Sequence, residues 1–137
     1  MRSRIVLILG LVVLAGLSLA WPRLNDVETG KSPEYPDLKA RDYRAGVEEV
    51  TRAIRATSGK LTGWDLRGSG SGPRGAEIRF VHTTLPRLRY DVTVRISQNA
   101  GRTRVSVRSV SEVGPWDFGQ NARNIREFLA ALDGAVS

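Results

Sequence analysis

Residues 102–132, RTRVSVRSVSEVGPWDFGQNARNIREFLAAL, constrain the fold most, because a strand pattern, a Gly-Pro corner and an amphipathic helix follow one another with few residues between. Val105 and Val107 alternate as on a half-buried strand. The alternation then slips to Val110 and Val113, which predicts a bulge near Arg108 and Ser109. Gly114 and Pro115 make the corner, and Asp117 with Gln120 three residues on has the spacing of a capping box. Phe118, Ala122, Ile125, Leu129 and Leu132 then line one helical face with Phe128 beside them, and Gly134 closes the helix.

Upstream, Tyr90, Val92, Val94 and Ile96 alternate inward and residues 98–101, QNAG, turn the chain back. Residues 76–84 place Ile78, Phe80 and His82 on one face of a strand, and residues 60–66 form a fourth, short one. The intervening 67–75, RGSGSGPRG, predicts a flexible connection. Tyr43, Val47, Val50 and Ile54 mark one face of a helix over 42–57, capped by Asp42 and ended by Gly59. These elements predict an α+β, two-layer domain over residues 42–137: a helix, a four-stranded antiparallel sheet and a C-terminal helix.

The chain opens with Arg2 and Arg4 before an uncharged run, residues 5–20, that reaches Trp21 and Pro22. As a helix, Ile5 through Trp21 would be roughly 25 Å long, at the short limit for a membrane segment. Residues 1–21 are therefore expected to be a membrane anchor or a signal segment. Ser18 and Ala20 are small residues placed for cleavage after Ala20. With the N-terminal arginines held inside, the domain is membrane-anchored on the non-cytoplasmic side, or periplasmic or secreted if cleaved. Residues 22–41, with three prolines, are expected to be an extended tether.

A formal net charge of +7 suits a polyanion, but the arginines are scattered singly without interleaved aromatics, which argues against nucleic acid. The chain has no cysteine, which excludes disulfides and thiolate sites. Its one histidine, His82, has no second metal ligand at recognisable spacing, and no cofactor is expected.

Arg108, Ser109, Ser111, Gly114, Asp117, Gly119 and Asn121 together resemble the signature of the bacterial and plastid family catalogued as domain of unknown function 1499 (DUF1499). Departures stand at Tyr90, where the family has a second acid, and at Glu112 and Asn124, where it has arginine. The resemblance implies an envelope or lumenal protein, membrane-anchored or secreted, with no established activity.

The same residues admit two readings. In the structural one, Asp117 caps the helix and pairs with Arg108 while the serines satisfy the strand end. In the other, the helix N-terminus, Arg108, Ser109, Ser111 and Asn121 bind an anion. An envelope hydrolase would use Asp117 with Ser109 or Asp91, but no base is placed beside the serine. The expectation is a non-catalytic binding or interaction module of the cell envelope. Its partners would be the membrane through Ile5 to Trp21 and an envelope protein or an anionic or lipidic ligand, with Trp116 as a contact.

Overall fold

The computed structural model describes residues 2–20, 24–72, 75–114 and 117–136. Trp21, Pro22, Pro115 and Trp116 lie outside them. In chain order the elements are α1 (Arg2–Ala20), β1 (Asp26–Glu28), β2 (Arg41–Tyr43), α2 (Val47–Lys60), β3 (Trp64–Gly72), β4 (Gly75–Thr84), β5 (Leu88–Asn99), β6 (Arg102–Ser111) and α3 (Gln120–Ala135).

The sheet corrects the four-strand expectation: among the described residues it has six strands, all paired antiparallel, in the order β1-β6-β5-β4-β3, with β2 also on β6. The two extra strands come from the expected tether and its border with the first helix. β1 pairs with residues 108–110 of β6 and β2 with residues 103–105, so they form one interrupted edge strand along β6. Residues 29–40 leave the edge between them, and Thr29 holds the ladder at the break, donating its N–H to the Val107 carbonyl and accepting the Val107 N–H on Oγ1. Three-residue strands carry no periodicity, which is why the sequence hides them.

The expected N-terminal membrane segment is also corrected: among the described residues no helix is long and apolar enough to cross a membrane. α1 is 19 residues long, and Arg2 and Arg4 occupy its first turn. The apolar remainder rises only about 24 Å against a hydrocarbon core of about 30 Å.

Strand alternation builds the core. Ile78, Phe80 and His82 of β4, Tyr90, Val92, Val94 and Ile96 of β5, and Thr103, Val105, Val107 and Ser109 of β6 are buried on one face. Across the strands Ile78 pairs with Val94 and Val94 in turn with Val107, while Phe80 pairs with Val92 and Val92 with Ser109. α2 covers this face with Val50 and Ile54, and α3 with Ala122, Ile125, Phe128, Leu129 and Leu132. Each of these side chains except Ala122 contributes about 1.5–3 kcal/mol of apolar transfer, so the paired layers rather than helix propensity hold the helices. Trp64 joins the layers, stacking on Phe128 at 5.5 Å and on His82 at 4.7 Å between ring centroids.

Several local expectations change. The β5–β6 register runs unbroken to Ser111, so there is no bulge at Arg108 and Ser109. Ser109 simply takes an inward position that an apolar reading leaves vacant. Of the glycine-rich segment, residues 67–72 and Gly75 are strand, with a register shift between Leu66 and Gly68, because an edge strand needs backbone pairing more than side chains; residues 73 and 74 lie outside the described residues. Gly75 is required there: at φ 131 an added Cβ would run into the Ile96 carbonyl. α2 starts at Val47 without a side-chain cap, and Asp42 lies in β2 instead.

Candidate functional site

The stretch singled out by the sequence builds two adjoining features, a buried polar network and an open pocket. Ser109 points inward from β6, and Asn121 and Asn124 point at it from the buried face of α3. Ser109 Oγ donates to Asn121 Oδ1 at 2.7 Å and accepts from Asn124 Nδ2 at 3.2 Å. Asn121 Nδ2 donates to Ser111 Oγ at 2.8 Å. Asn124 Oδ1 accepts from Gln120 Nε2 at 2.7 Å and lies 2.9 Å from His82 Nδ1.

One exposed cation sets the direction of all these bonds. Arg123 contacts Gln120 Oε1 through Nε and Nη2, and a guanidinium can only donate. The Gln120 atom facing Arg123 is therefore its oxygen, so its amide nitrogen faces Asn124. Asn124 in turn presents oxygen to Gln120, which makes His82 Nδ1 the donor, and presents Nδ2 to Ser109. Ser109 then gives its proton to Asn121, Asn121 gives its own to Ser111, and the Ser111 proton is left to point onward.

Ser111 lines a pocket of about 260 Å³ at this end of the sheet, between the β4–β5 turn and the β6–α3 corner. Tyr90, Ser111 and Asp117 supply its polar atoms, Leu88, Val113 and Phe118 its apolar wall, and Arg87, Arg89 and Glu112 its charges. Burial is the main cause pushing the Tyr90 phenol above its usual range, with the nearby Asp117 charge adding to it and a hydrogen bond to Thr84 opposing. Arg89 sits 3.6 Å from Glu112.

Asp117 is buried and serves the helix start from two residues before the capping position. Its Oδ1 accepts the Gly119 N–H at 2.8 Å and its Oδ2 the Asn121 N–H at 3.0 Å. The residue before the helix is Gly119, at φ 76, and Gln120 reaches Asn124 and Arg123 rather than back to Asp117 as a capping box requires. Because its carboxylate holds these N–H groups, an external anion cannot use them.

The expected residues therefore separate. Ser109, Ser111, Asp117, Gly119 and Asn121 come together, and Gly114 shapes the corner at φ 82. Arg108 does not meet Asp117: it projects from the other sheet face and binds Asp26 through Nε at 2.9 Å and Nη2. That bond holds the Asp26 carboxyl below its usual range. Asp91 also faces away from Ser109, being paired with Val110 while Ser109 pairs with Val92. Phe118, expected in the core, is 53% exposed. Sequence reasoning misses Gln120, Asn124 and His82 as partners in a site, although polar residues at inward positions of β4 and α3 are the signal for them.

Fold and site define a two-layer α+β domain whose polar core opens into a pocket at one strand–helix corner. The chain belongs to the family described as Protein of unknown function (DUF1499), whose model matches residues 17–132. No curated protein matches the chain. Among solved structures, the chain is similar to TTHA0849 from Thermus thermophilus at 15% identity and a TM-score of 0.42, over 80% of this chain and 95% of that one.

Proposed function

We propose that the chain is an exported, non-catalytic binding module of the cell envelope whose ligand site is the corner pocket. The observation that carries this reading is the division of labour at the corner. The polar groups a hydrolase would need are committed to one another, whereas Ser111, Tyr90 and Arg89 face an open pocket beside apolar walls. Among the described residues His82 bonds to Asn124 rather than to a serine, and Asp91 lies on the far face of the sheet from Ser109. A pocket with one polar side, one apolar side and flanking arginines fits a small anionic amphiphile. Arg2 and Arg4 before an apolar run, with Ser18 and Ala20 at cleavage spacing, support export.

Titration of the chain with dihexanoyl phosphatidylglycerol, followed by amide NMR, tests the site. Saturable shifts at Leu88, Ser111 and Phe118 that weaken in Arg89→Ala are the expected result. Shifts scattered over the surface, or none at the corner, sink the pocket reading.

A further inference from the structure

We propose that this end of the sheet docks on the surface of an anionic lipid bilayer, with Leu85, Leu88, Val113 and Phe118 entering the interface and Arg87 and Arg89 meeting the headgroups. The proposal rests on the corner being the domain's binding surface and names the surface it binds. Four large apolar side chains crowd one end of the fold. Leu85 is 95% exposed, Val113 79%, Phe118 53% and Leu88 49%, and apart from α1 the remaining large exposed apolar side chain among the described residues is Leu66. Isolated exposed apolar residues need no explanation, but a cluster of them around a pocket mouth marks a surface that is covered in use.

Phe118 adds a second observation. It holds a left-handed backbone at φ 49, which is costly for a bulky side chain, and the ring so placed is half in solvent. Strain of that kind without a matching gain in packing points to a contact outside the chain.

Charge and chain path identify the cover. Arg87, Arg89 and Arg123 stand in or beside the cluster, with Arg123 donating to the Phe118 carbonyl at 3.0 Å. The three arginines outnumber Glu112, which pairs with Arg89, and the buried Asp117, so the apolar cluster carries a net positive rim that matches the headgroup–acyl boundary of an anionic membrane. The chain also enters the body at this end, where the Asn25 carbonyl accepts the Ser111 N–H. α1 ends at Ala20, four residues before Leu24, and so lies within about 14 Å of it. Its side chains from Ile5 to Leu14 are apolar and exposed, so the apolar helix and the apolar corner leave from one end of the sheet.

The absence of cysteine makes the test direct, since a single introduced cysteine carries the only label. Full-length Leu85→Cys, Val113→Cys and Asn99→Cys, each bearing an environment-sensitive fluorophore, are mixed with vesicles of phosphatidylcholine alone or with phosphatidylglycerol. Position 99 lies at the opposite end of β5, roughly 35 Å from Leu88 along the strand, too far to share a boundary layer about 10 Å deep. Docking predicts a blue-shifted, brighter signal at 85 and 113 on the anionic vesicles and none at 99. Arg87→Glu combined with Arg89→Glu should weaken that response roughly tenfold or more. Labels at 85 and 113 that respond no more than the label at 99 overturn the proposal. If those labels stay silent on vesicles while the soluble amphiphile still shifts the pocket, the docking fails and the pocket reading stands. Silence to both removes both.

Discussion

Arg123 lies on the surface, yet it decides how protons are arranged in the core. Without its guanidinium, Gln120 can turn its amide round, and Asn124, Ser109, Asn121 and Ser111 can reverse in sequence with every bond still made. His82 would then accept on Nδ1 and carry its proton on Nε2. The network thus has two satisfied directions, and one exposed cation selects between them. Arg123→Ala should cost little stability, about 0.5 kcal/mol as for an exposed polar contact, while Arg123→Lys keeps a donor in place. Nitrogen-15 NMR of the neutral His82 ring should show Nδ1–H alone in the native chain and both tautomers in Arg123→Ala. A single unchanged tautomer in the alanine variant would mean that something other than Arg123 fixes the direction. None of this is legible from spacing, because hydrophobic periodicity treats a serine at an inward strand position as a fault in the pattern. The pattern therefore predicts a bulge at Ser109, whereas Asn121 and Asn124 across the layer make a polar residue acceptable there.

At the scale of elements, the β6–α3 corner combines a helix start built for stability with a side chain that is not. Asp117 satisfies two N–H groups of the turn and first helical residues, and Gly119 at φ 76 adopts the left-handed backbone such a turn demands. Gly119→Ala should lose about 1–2 kcal/mol, the steric cost of a Cβ in that region. Phe118→Asn is the contrasting case. Asparagine tolerates the left-handed backbone, and the relief should offset the partial burial the ring gives up, leaving stability within about 1 kcal/mol of native. Urea unfolding of both variants, with vesicle binding measured beside it, separates the roles: Gly119→Ala should lose stability, Phe118→Asn the membrane response. A loss above about 3 kcal/mol in Phe118→Asn would make the ring a core residue. The sequence locates this corner because glycine and aspartate chemistry is local. It misjudges the helix start by two residues, since the spacing of Asp117 and Gln120 fits a capping box as well as it fits the wider turn that forms.

For the whole molecule, the interrupted edge strand is the part most exposed to pH, because α3 and β6 latch it through titratable groups. Asp26 of β1 is held by Arg108, and Asp37 in the excursion between β1 and β2 is held by Arg126 through two bonds of 2.9 and 3.0 Å. The hydrogen bond to arginine is the first cause holding each carboxyl below its ordinary value of 3.8. At the other end of the edge, the Tyr43 hydroxyl donates to Asp133 of α3 at 2.6 Å, and Asp133 also takes Arg41. Burial first, and then that carboxylate, raise the Tyr43 phenol above its ordinary value of 10.0. The signs follow by linkage. The carboxylates stabilise the fold above pH 3.8, and their contribution is lost as pH falls below it. The phenol's contribution is complete below pH 10.0, and it is lost as pH rises beyond. Surface pairs of this kind each hold little, so the edge should loosen before the sheet as a whole unfolds. Hydrogen exchange corrected for intrinsic rate should therefore show protection at Val27 and Tyr43 falling toward both extremes of pH, while Val94 and Leu129 stay protected. Asp26→Asn should lower the protection of Val27 near neutral pH and remove its acid dependence, and Tyr43→Phe should do the same for the alkaline side. Edge and centre losing protection together would show that the latches bear on the whole fold instead of on the edge.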